Sequence, residues 1–342
     1  MLLTRNEFRE SVFNRDNHLC VICGDIAVDA HHIMERRLFT GDHVKGGYFV
    51  DNGASLCGIH HLEAEMTTLS VEDIRLASNI TKKILPSHLY DDHVYDKWGN
   101  PILANGMRQK GELFYDESVQ KILGQGNVLS LFTKYVKFPR TYHVPWSEGM
   151  TNDDRMIKDM SVFEGRDVIV STKWDGENTT MYNDHIHARS MDSLNHPSRN
   201  WVKNFWSTIS HEIPEGWRIC GENLFATHSI HYTDLPSYFL GFHIWNEKNE
   251  CLSWDDTLEW FHLLGITPVD VSYRGIYDES FIRSLWSPTN WNTTEGYVLR
   301  ISDSFRYGDY RKSVGKFVRK GHIQTVKHWM NGQAIQPNEL KK

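Results

Sequence analysis

The sequence lacks long apolar segments and is poor in cysteine. Within its 342 residues, no run approaches the roughly 20 apolar residues that a membrane-spanning helix needs. The first residues, Met1 to Glu7, contain no apolar core of a secretion signal. Only 5 cysteines are present, three of them before residue 60, so a disulfide framework is not indicated. We therefore expect a cytoplasmic protein.

An excess of positive charge is also missing. The chain has 37 lysines and arginines against 44 acidic residues, a net charge of −7, so bulk attraction to nucleic-acid phosphates is not indicated. The charge is unevenly distributed, however, because the segment from Arg300 to Lys327 has few acids. Its cations include Arg306, Arg311, Lys312, Lys316, Arg319 and Lys320. Such a segment can form a local basic face that holds phosphates, or a solvated face of strands and loops.

Internal repeats and low-complexity segments are absent, so the chain is interpreted as ordinary globular domains. Its length exceeds the usual size of one core, and a hydrophobic fraction of 40% is typical of soluble proteins. Turn-forming residues near position 125 favour a boundary there. We predict an N-terminal module over residues 1–130 and a larger domain over residues 131–342.

The segment Lys173-Trp174-Asp175-Gly176-Glu177-Asn178 follows a strand-like run and indicates a reactive lysine. A free lysine has a pKa of about 10.4, so attack on a phosphate requires burial, nearby cations or a metal to lower the pKa of Lys173. An alternative is an exposed lysine on a strand, followed by an ordinary Asp-Gly turn.

Five segments follow in an order that, with Lys-x-Asp-Gly-x-Asn, resembles the covalent nucleotidyltransferases and in particular the RNA ligase 2-like family. They are His187–Ser190, Arg218–Asn223, Tyr238–Ile244, Thr294–Arg300 and Val314–Arg319. The resemblance implies an α+β fold, in which an ATP-grasp-like ligase domain has two antiparallel sheets flanked by helices. It also implies that Lys173 attacks ATP.

The resemblance further implies roles for other residues. Asp175 and Asn178 would lie near the nucleotide, Arg189 would contact the nucleotide or a 5′-phosphate, Glu222 would bind the ribose hydroxyls, and Phe242 would stack on adenine. Glu295 would help to hold Mg²⁺, and Lys316 would contact the α-phosphate. The last motif usually reads Lys-x-Lys, whereas here the second cation is Arg319 or Lys320; with Lys316, Arg319 would contact the phosphates of the nucleotide.

The implied reaction joins a 3′-hydroxyl to a 5′-phosphate through lysyl-AMP and an adenylated strand. We expect a monomeric ATP-dependent ligase that seals nicks in duplex DNA, RNA-DNA hybrids or both. The choice between RNA and DNA stays open. Alternative functions are an HNH endonuclease or a non-catalytic protein that binds nucleic-acid ends.

A second pattern precedes the ligase-like motifs. Cys20, Cys23, Cys57 and His60 form two closely spaced donor pairs, which predict a structural zinc site of three thiolates and one imidazole. The pattern resembles a small HNH, or ββα-metal, module. By that resemblance His31 and His61 are possible metal ligands, His32 a possible general base and Asn52 an orienting residue. Glu65 replaces a further metal-binding histidine, so the module either cleaves nucleic acid or only binds it.

Residues 317–342 are too few for the OB domain that typically follows the last motif in DNA ligases. We therefore expect the N-terminal zinc module to grip the duplex beside the nick instead.

Overall fold

A computed structural model describes residues 2–39, 45–89, 91–152, 154–191, 195–286, 293–322 and 335–342. The chain divides into two compact units, Met1–Lys137 and Phe138–Lys342. Among the described residues, no helix has the length and apolar character needed to cross a bilayer. The last residues of the predicted basic segment, 323–327, lie outside the described residues.

The first unit contains a small antiparallel strand pair followed by a helix. Its helices are α1 (Arg5–Arg15), α2 (Gly58–Glu65), α3 (Val71–Ala77) and α4 (Glu117–Gln125), and its strands are β1 (Asp29–His32), β2 (Gly53–Leu56), β3 (Val94–Tyr95) and β4 (Pro101–Ile102). Strand β1 pairs with β2, and α2 begins directly after β2, so the local order is strand, strand, helix.

Local sequence explains where α1 of this unit begins. Thr4 and Glu7 form a reciprocal capping box, in which each side chain accepts a backbone N–H of the other residue. The core beneath these elements consists of apolar side chains from β2, α3 and the turn after β1: Ile33, Met34, Leu38, Ala54, Leu56 and Ile74. Cys20 and Cys57, two of the predicted zinc ligands, belong to the same core.

The second unit is a mixed α+β domain. Its strands are β5 (Tyr142–His143), β6 (Asp167–Lys173), β7 (Glu177–Met181), β8 (Ile186–Ala188), β9 (Arg218–Asn223), β10 (Phe239–Trp245), β11 (Glu250–Cys251), β12 (Thr267–Pro268), β13 (Val271–Ile276), β14 (Gly296–Ile301), β15 (Phe305–Arg306) and β16 (Val314–Val318). Its helices are α5 (Asn200–Ile209), α6 (Trp254–Leu263), α7 (Glu279–Ser284) and α8 (Tyr310–Ser313).

These strands form two sheets among the described residues. One has the order β13-β6-β14-β16-β5, and the other has the order β15-β11-β10-β9-β7-β8 with β12 beside β10. All pairs are antiparallel except β16 with β5 and β10 with β12. The α+β prediction is confirmed, with one parallel pair in each sheet. Both sheets contribute to a shared apolar core that includes Val168, Val170, Cys220, Trp245, Leu299 and Phe317.

Candidate active site

The register of three strands aligns the predicted reactive residues of the first sheet. Ser171 pairs with Val298, and Val298 pairs with Lys316 on the other side of β14. Residues directly opposite each other in an antiparallel ladder lie on the same face of the sheet. Lys173, two positions beyond Ser171, shares that face because side chains alternate along a strand. One face thus presents both lysines of the ligase-like motifs.

The second sheet supplies the opposite wall of a cavity of about 440 Å³. On this sheet Asn178 pairs with Glu222 across β7 and β9, and Phe242 lies on β10. The cavity lining includes six residues predicted from the sequence: Lys173, Asn178, Arg189, Glu222, Phe242 and Lys316. The structure therefore brings residues from five separate motifs to one concave site.

Lys173 forms an ion pair with Glu295. Burial lowers the pKa of Lys173, but the carboxylates of Glu295, Glu222 and Asp175 raise it by more, so the net pKa lies above the ordinary lysine value. We had expected a lowered pKa. The prediction considered cations near Lys173, whereas the structure places the carboxylates of Glu295, Glu222 and Asp175 around its ammonium group.

Glu295 is fixed by its backbone as well as by Lys173. Arg319 donates its backbone N–H to the Glu295 carbonyl at 3.0 Å and its Nε to the Thr294 carbonyl at 3.1 Å. Arg319, which was predicted to contact the nucleotide, thus holds the Glu295 segment. A Cβ on Gly296 would lie 2.0 Å from the Phe317 carbonyl oxygen, so the close approach of β14 to β16 requires glycine here.

Asp175 organises a loop rather than lining the cavity. Its Oδ2 accepts hydrogen bonds from the Ser229 N–H at 2.8 Å, the Ser229 hydroxyl at 2.6 Å and the Ile230 N–H at 3.0 Å. The Asp175 N–H donates to the Tyr232 hydroxyl at 3.0 Å. Gly176 follows without a positive φ; a Cβ there would lie 2.6 Å from the Asn223 carbonyl oxygen. Close packing, rather than a tight turn, requires this glycine.

Three side chains beside Lys173 could hold a divalent metal. Nε2 of His322 lies 3.8 Å from Oδ1 of Asp175 and 3.7 Å from Oε1 of Glu295. These separations exceed a hydrogen bond but leave room for one bridging ion. Carboxylate oxygens suit Mg²⁺, and an added imidazole also suits Mn²⁺. His322 was missed in the sequence because it belongs to none of the motifs.

Lys316 has an acidic partner that no motif indicated. Its Nζ lies 3.5 Å from Oδ1 of Asp154, and Nε2 of His143 lies 3.3 Å from the same oxygen. Burial raises the pKa of Asp154, but hydrogen bonds from Thr151 and the charge of Lys316 outweigh it and hold that pKa at about 2. The pKa of Lys316 is lowered, first by burial and then by Lys173.

Two polar features of the second wall face the cavity. Arg199 and Glu177 form a bidentate ion pair, which the sequence did not indicate, and both line the cavity. Oδ1 of Asn178 is buried and has no hydrogen-bond partner among the described residues. Burial, with Glu295 and Asp175, raises the pKa of Glu222 to about 8 although Lys173 opposes the shift. Asn178 and Glu222 thus offer a polar edge to a ligand.

Aromatic and basic residues complete the lining. Phe242 meets Phe138 edge-on at a ring distance of 5.6 Å, which leaves both rings on the cavity wall. Arg189 lies at the exposed end of the motif after β8. The site therefore combines an aromatic wall with one exposed cation, Arg189.

The first unit brings together the four predicted zinc ligands. Nδ1 of His60 lies 3.4 Å from Sγ of Cys20 and 3.2 Å from Sγ of Cys57. Sγ of Cys23 lies 3.8 Å from Sγ of Cys57. Tetrahedral zinc, with bonds of about 2.3 Å to sulfur, places two sulfurs about 3.8 Å apart. The donor set and its spacing fit structural zinc.

A second cluster in this unit contains His31, His61 and Glu65. Oε1 of Glu65 lies 3.5 Å from Nδ1 of His31 and 3.5 Å from Nε2 of His61. Nζ of Lys97 lies 3.1 Å from the same oxygen. This buried ammonium competes with a metal for Glu65. Lys97 was not singled out in the sequence.

The other two predicted HNH residues have different surroundings. His32 follows His31 on β1 and stacks on Phe8 at a ring distance of 4.5 Å, and burial lowers its pKa to about 4. Asn52 is buried and uses its side chain on the backbone: Oδ1 accepts the Met34 N–H at 2.9 Å, while Nδ2 donates to the carbonyls of Met34 and Gly47. Asn52 therefore fixes the chain that follows β1.

Comparison with known proteins extends these observations. Residues 166–318 match the model of the RNA ligase family. No curated protein matches the chain. Among solved structures, an archaeal ATP-dependent RNA ligase has 14% identity over 54% of this chain and 48% of its own, with a TM-score of 0.38.

A variant of a Naegleria gruberi RNA ligase, whose structure contains ATP and Mn, has 16% identity over 55% of this chain and 60% of its own, with a TM-score of 0.34. The chain covers less than two thirds of the length of either ligase. The part of the chain that holds Lys173, Glu222, Glu295 and Lys316 is thus RNA ligase-like in sequence.

Proposed function

We propose that the unit formed by residues 138–342 is an ATP-dependent polynucleotide ligase with Lys173 as its nucleophile. The observation that carries this proposal is the convergence of Lys173, Glu222 and Lys316 on one cavity, within the segment that matches the RNA ligase family. A ligase needs a nucleotide pocket, a nucleophile that faces it and cations near the phosphates, and the cavity is lined by the half-buried Lys173 and by the cations Lys316 and Arg189.

The reaction proceeds in three displacements at phosphorus. Nζ of Lys173, after losing a proton, attacks the α-phosphorus of ATP, and the bond to pyrophosphate breaks. A 5′-phosphate oxygen of the nucleic acid then attacks the same phosphorus, and the bond to Lys173 breaks. Finally a 3′-hydroxyl attacks the 5′-phosphate and releases AMP, which forms the phosphodiester.

The cavity residues suit particular parts of ATP. Phe242 offers an aromatic face to the adenine, and Glu222 with Asn178 offers a polar edge to the ribose. Lys316 and Arg189 line the same cavity, and as cations they would stabilise the charge that develops on the α-phosphate.

The residues that would hold Mg²⁺ are Glu295, Asp175 and His322. When bound, the ion neutralises the carboxylates that raise the pKa of Lys173 and stabilises charge on the phosphate. Glu295 would then release the Lys173 ammonium, whose proton leaves before attack. Hydrogen bonds from Ser229 and Ile230 keep Oδ1 of Asp175 turned toward this position.

We further propose that the first unit binds structural zinc and grips duplex nucleic acid beside the nick. The spacing of Cys20, Cys23, Cys57 and His60 supports the zinc site. A chain starting at Phe138 should then keep adenylylation of Lys173 but lose strand joining; unchanged joining would contradict the proposal. We also propose that the protein is a cytoplasmic monomer.

A second candidate activity is metal-dependent cleavage by the first unit. The cluster of His31, His61 and Glu65 favours it, whereas the ammonium of Lys97 on Glu65 opposes it. Nicking of supercoiled plasmid that requires Mg²⁺ and disappears in His61→Ala would establish cleavage. If nicking persists in that variant, it does not come from this cluster.

Strand joining on matched nicked duplexes tests the proposed ligase. All-DNA, all-RNA and mixed nicks should be incubated with ATP, Mg²⁺ and either the wild type, Lys173→Ala or Lys158→Ala, whose side chain is exposed. We expect joining of at least one duplex by the wild type and Lys158→Ala, and none by Lys173→Ala. Equal joining by all three proteins would refute the role of Lys173.

A further inference from the structure

Residues 336–341 run against the loop that connects β9 to β10. This loop, residues 224–238, is joined to the segment by backbone hydrogen bonds at both of its ends. The bonds are Thr227 N–H to Gln336 O at 2.8 Å, Asn338 N–H to Phe225 O at 2.9 Å, Glu339 N–H to Tyr232 O at 2.8 Å, Leu235 N–H to Glu339 O at 3.0 Å and Lys341 N–H to Leu235 O at 2.9 Å. The segment thus closes the loop much as an added strand would.

The side chain of Asn338 lies at the centre of this arrangement and is only 2% exposed. Its Oδ1 accepts the Tyr232 N–H at 2.9 Å and the Thr227 hydroxyl at 2.9 Å. Its Nδ2 donates to the Leu224 carbonyl at 2.7 Å and the Ala226 carbonyl at 3.4 Å. One buried amide therefore satisfies polar groups from both sides of the loop: the Tyr232 N–H, two carbonyls and the Thr227 hydroxyl, which also contacts Nδ1 of His231 at 3.0 Å.

The other side of the same loop faces the candidate active site. Ser229 and Ile230 supply the hydrogen bonds that hold Oδ2 of Asp175, and the Tyr232 hydroxyl accepts the Asp175 N–H. His228 lines the cavity. The loop thus connects Asn338 to Asp175, which lies two positions from Lys173.

We propose that Asn338 is a positioning residue for adenylylation of Lys173. It acts through the loop: its four hydrogen bonds fix the loop, the loop fixes Asp175, and Asp175 fixes the turn that follows Lys173. This inference rests on the proposed ligase function and adds to it a residue outside the matched range 166–318.

The physical reason is the entropy of ordering the loop. A connection without regular secondary structure has many conformations, and each must be excluded before Ser229 and Ile230 can meet Asp175 together. The hydrogen bonds to Asn338 exclude these other loop conformations before ATP binds. A small displacement of a catalytic group costs a large factor in rate, so loss of this preorganisation should affect chemistry more than binding.

The test compares full-length Asn338→Ala with wild type and with Lys341→Ala, whose side chain is exposed although its backbone N–H binds the loop. The rate of AMP transfer to the protein is measured at several ATP concentrations, and hydrogen exchange is measured for peptides that cover residues 224–235. All measurements are made at a temperature where every variant is folded.

For Asn338→Ala we expect the rate at saturating ATP to fall by about 10-fold to 100-fold. The ATP concentration that gives half the maximal rate should change much less, and exchange should accelerate at Ser229 and Ile230. Lys341→Ala should behave like the wild type. A merely structural role would lower the melting temperature and leave the maximal rate of the folded protein unchanged.

If Asn338→Ala does not fold, Thr227→Val provides the test, because it keeps the shape of the side chain and removes the hydroxyl bonds to Oδ1 of Asn338 and Nδ1 of His231. A smaller loss of rate with faster loop exchange supports the proposal. A wild-type rate with a protected loop in either variant overturns it. If the wild type itself forms no AMP adduct, the ligase proposal fails, and the exchange data still report separately whether Asn338 orders the loop.

Discussion

Lys173 and Glu295 form an ion pair between neighbouring strands at the cavity. Lys173 is the last residue of β6, and Glu295 directly precedes β14. Of the nearby carboxylates, Glu295 raises the pKa of Lys173 most strongly. The ion pair therefore favours the ammonium form of Lys173, and if Lys173 is the nucleophile, its activation would depend on drawing Glu295 away from it.

Replacing Glu295 tests this relationship. In Glu295→Gln we expect adenylylation to slow by about 100-fold, since a preorganised charge at the reacting phosphate is lost. Loss of the carboxylate also lowers the pKa of Lys173, so the remaining rate should begin to rise at lower pH than in the wild type. The exposed Glu215→Gln serves as the control. A pH profile that does not move would contradict the pairing as the cause of the raised pKa.

Lys316 provides a second test at the phosphate. Lys316→Met should reduce the adenylylation rate by roughly 10-fold or more, because a charge-assisted hydrogen bond contributes about 1.5–3 kcal/mol. Lys312→Met, an exposed lysine of α8, should leave the rate unchanged. Rates are read from the labelled protein band after rapid quenching. Equal losses in both variants would indicate a general effect of charge on ATP binding instead.

The half-buried acid Glu222 should make stability depend on pH. Its pKa is about 8 in the folded protein against an ordinary 4.5, so the folded state retains an extra proton between those values. The free energy of unfolding therefore falls as pH rises through this window. Glu222→Gln cannot ionise and does not undergo this loss of stability. The melting temperature of Glu222→Gln minus that of the wild type should therefore be larger at pH 8.5 than at pH 5. The exposed Glu259→Gln should show a difference that is flat with pH; a flat difference for Glu222→Gln would contradict the shift.

Zinc content tests the cluster of the first unit. Purified protein should contain one zinc, and Cys23→Ser and His60→Gln should each reduce that content, since every ligand of a closed tetrahedral site is needed. Cys220→Ser, which changes a cysteine of the other unit, should retain the metal. A strong chelator should also lower the melting temperature of the wild type. Protein that folds identically with and without zinc would contradict a structural role.

The sequence was sufficient to predict the parts of the site that repeat a family order. The α+β class and the motifs that contain Lys173, Glu222 and Lys316 can be recognised from local sequence patterns. In the structure, the pairing of the strands brings these three residues to one cavity.

The remaining contacts could not be predicted because they join single residues that are distant in sequence. Asp154 lies near Lys316, and His322 lies near Glu295. Asn338 binds the loop after β9, which in turn contacts Asp175. Asp154, His322 and Asn338 belong to none of the sequence motifs. The direction of the Lys173 pKa shift was predicted wrongly for a related reason. It depends on the balance between burial and several carboxylates, and a sequence does not give those distances.

The proposed reaction depends above all on attachment of AMP to Lys173. This attachment can be observed by mass spectrometry of peptides from protein incubated with ATP and Mg²⁺ and then denatured. We predict that AMP is attached to the peptide containing Lys173, that pyrophosphate is released in equal amount, and that Lys173→Ala forms neither. AMP on a different residue, or an undiminished adduct in Lys173→Ala, would show that Lys173 is not the nucleophile.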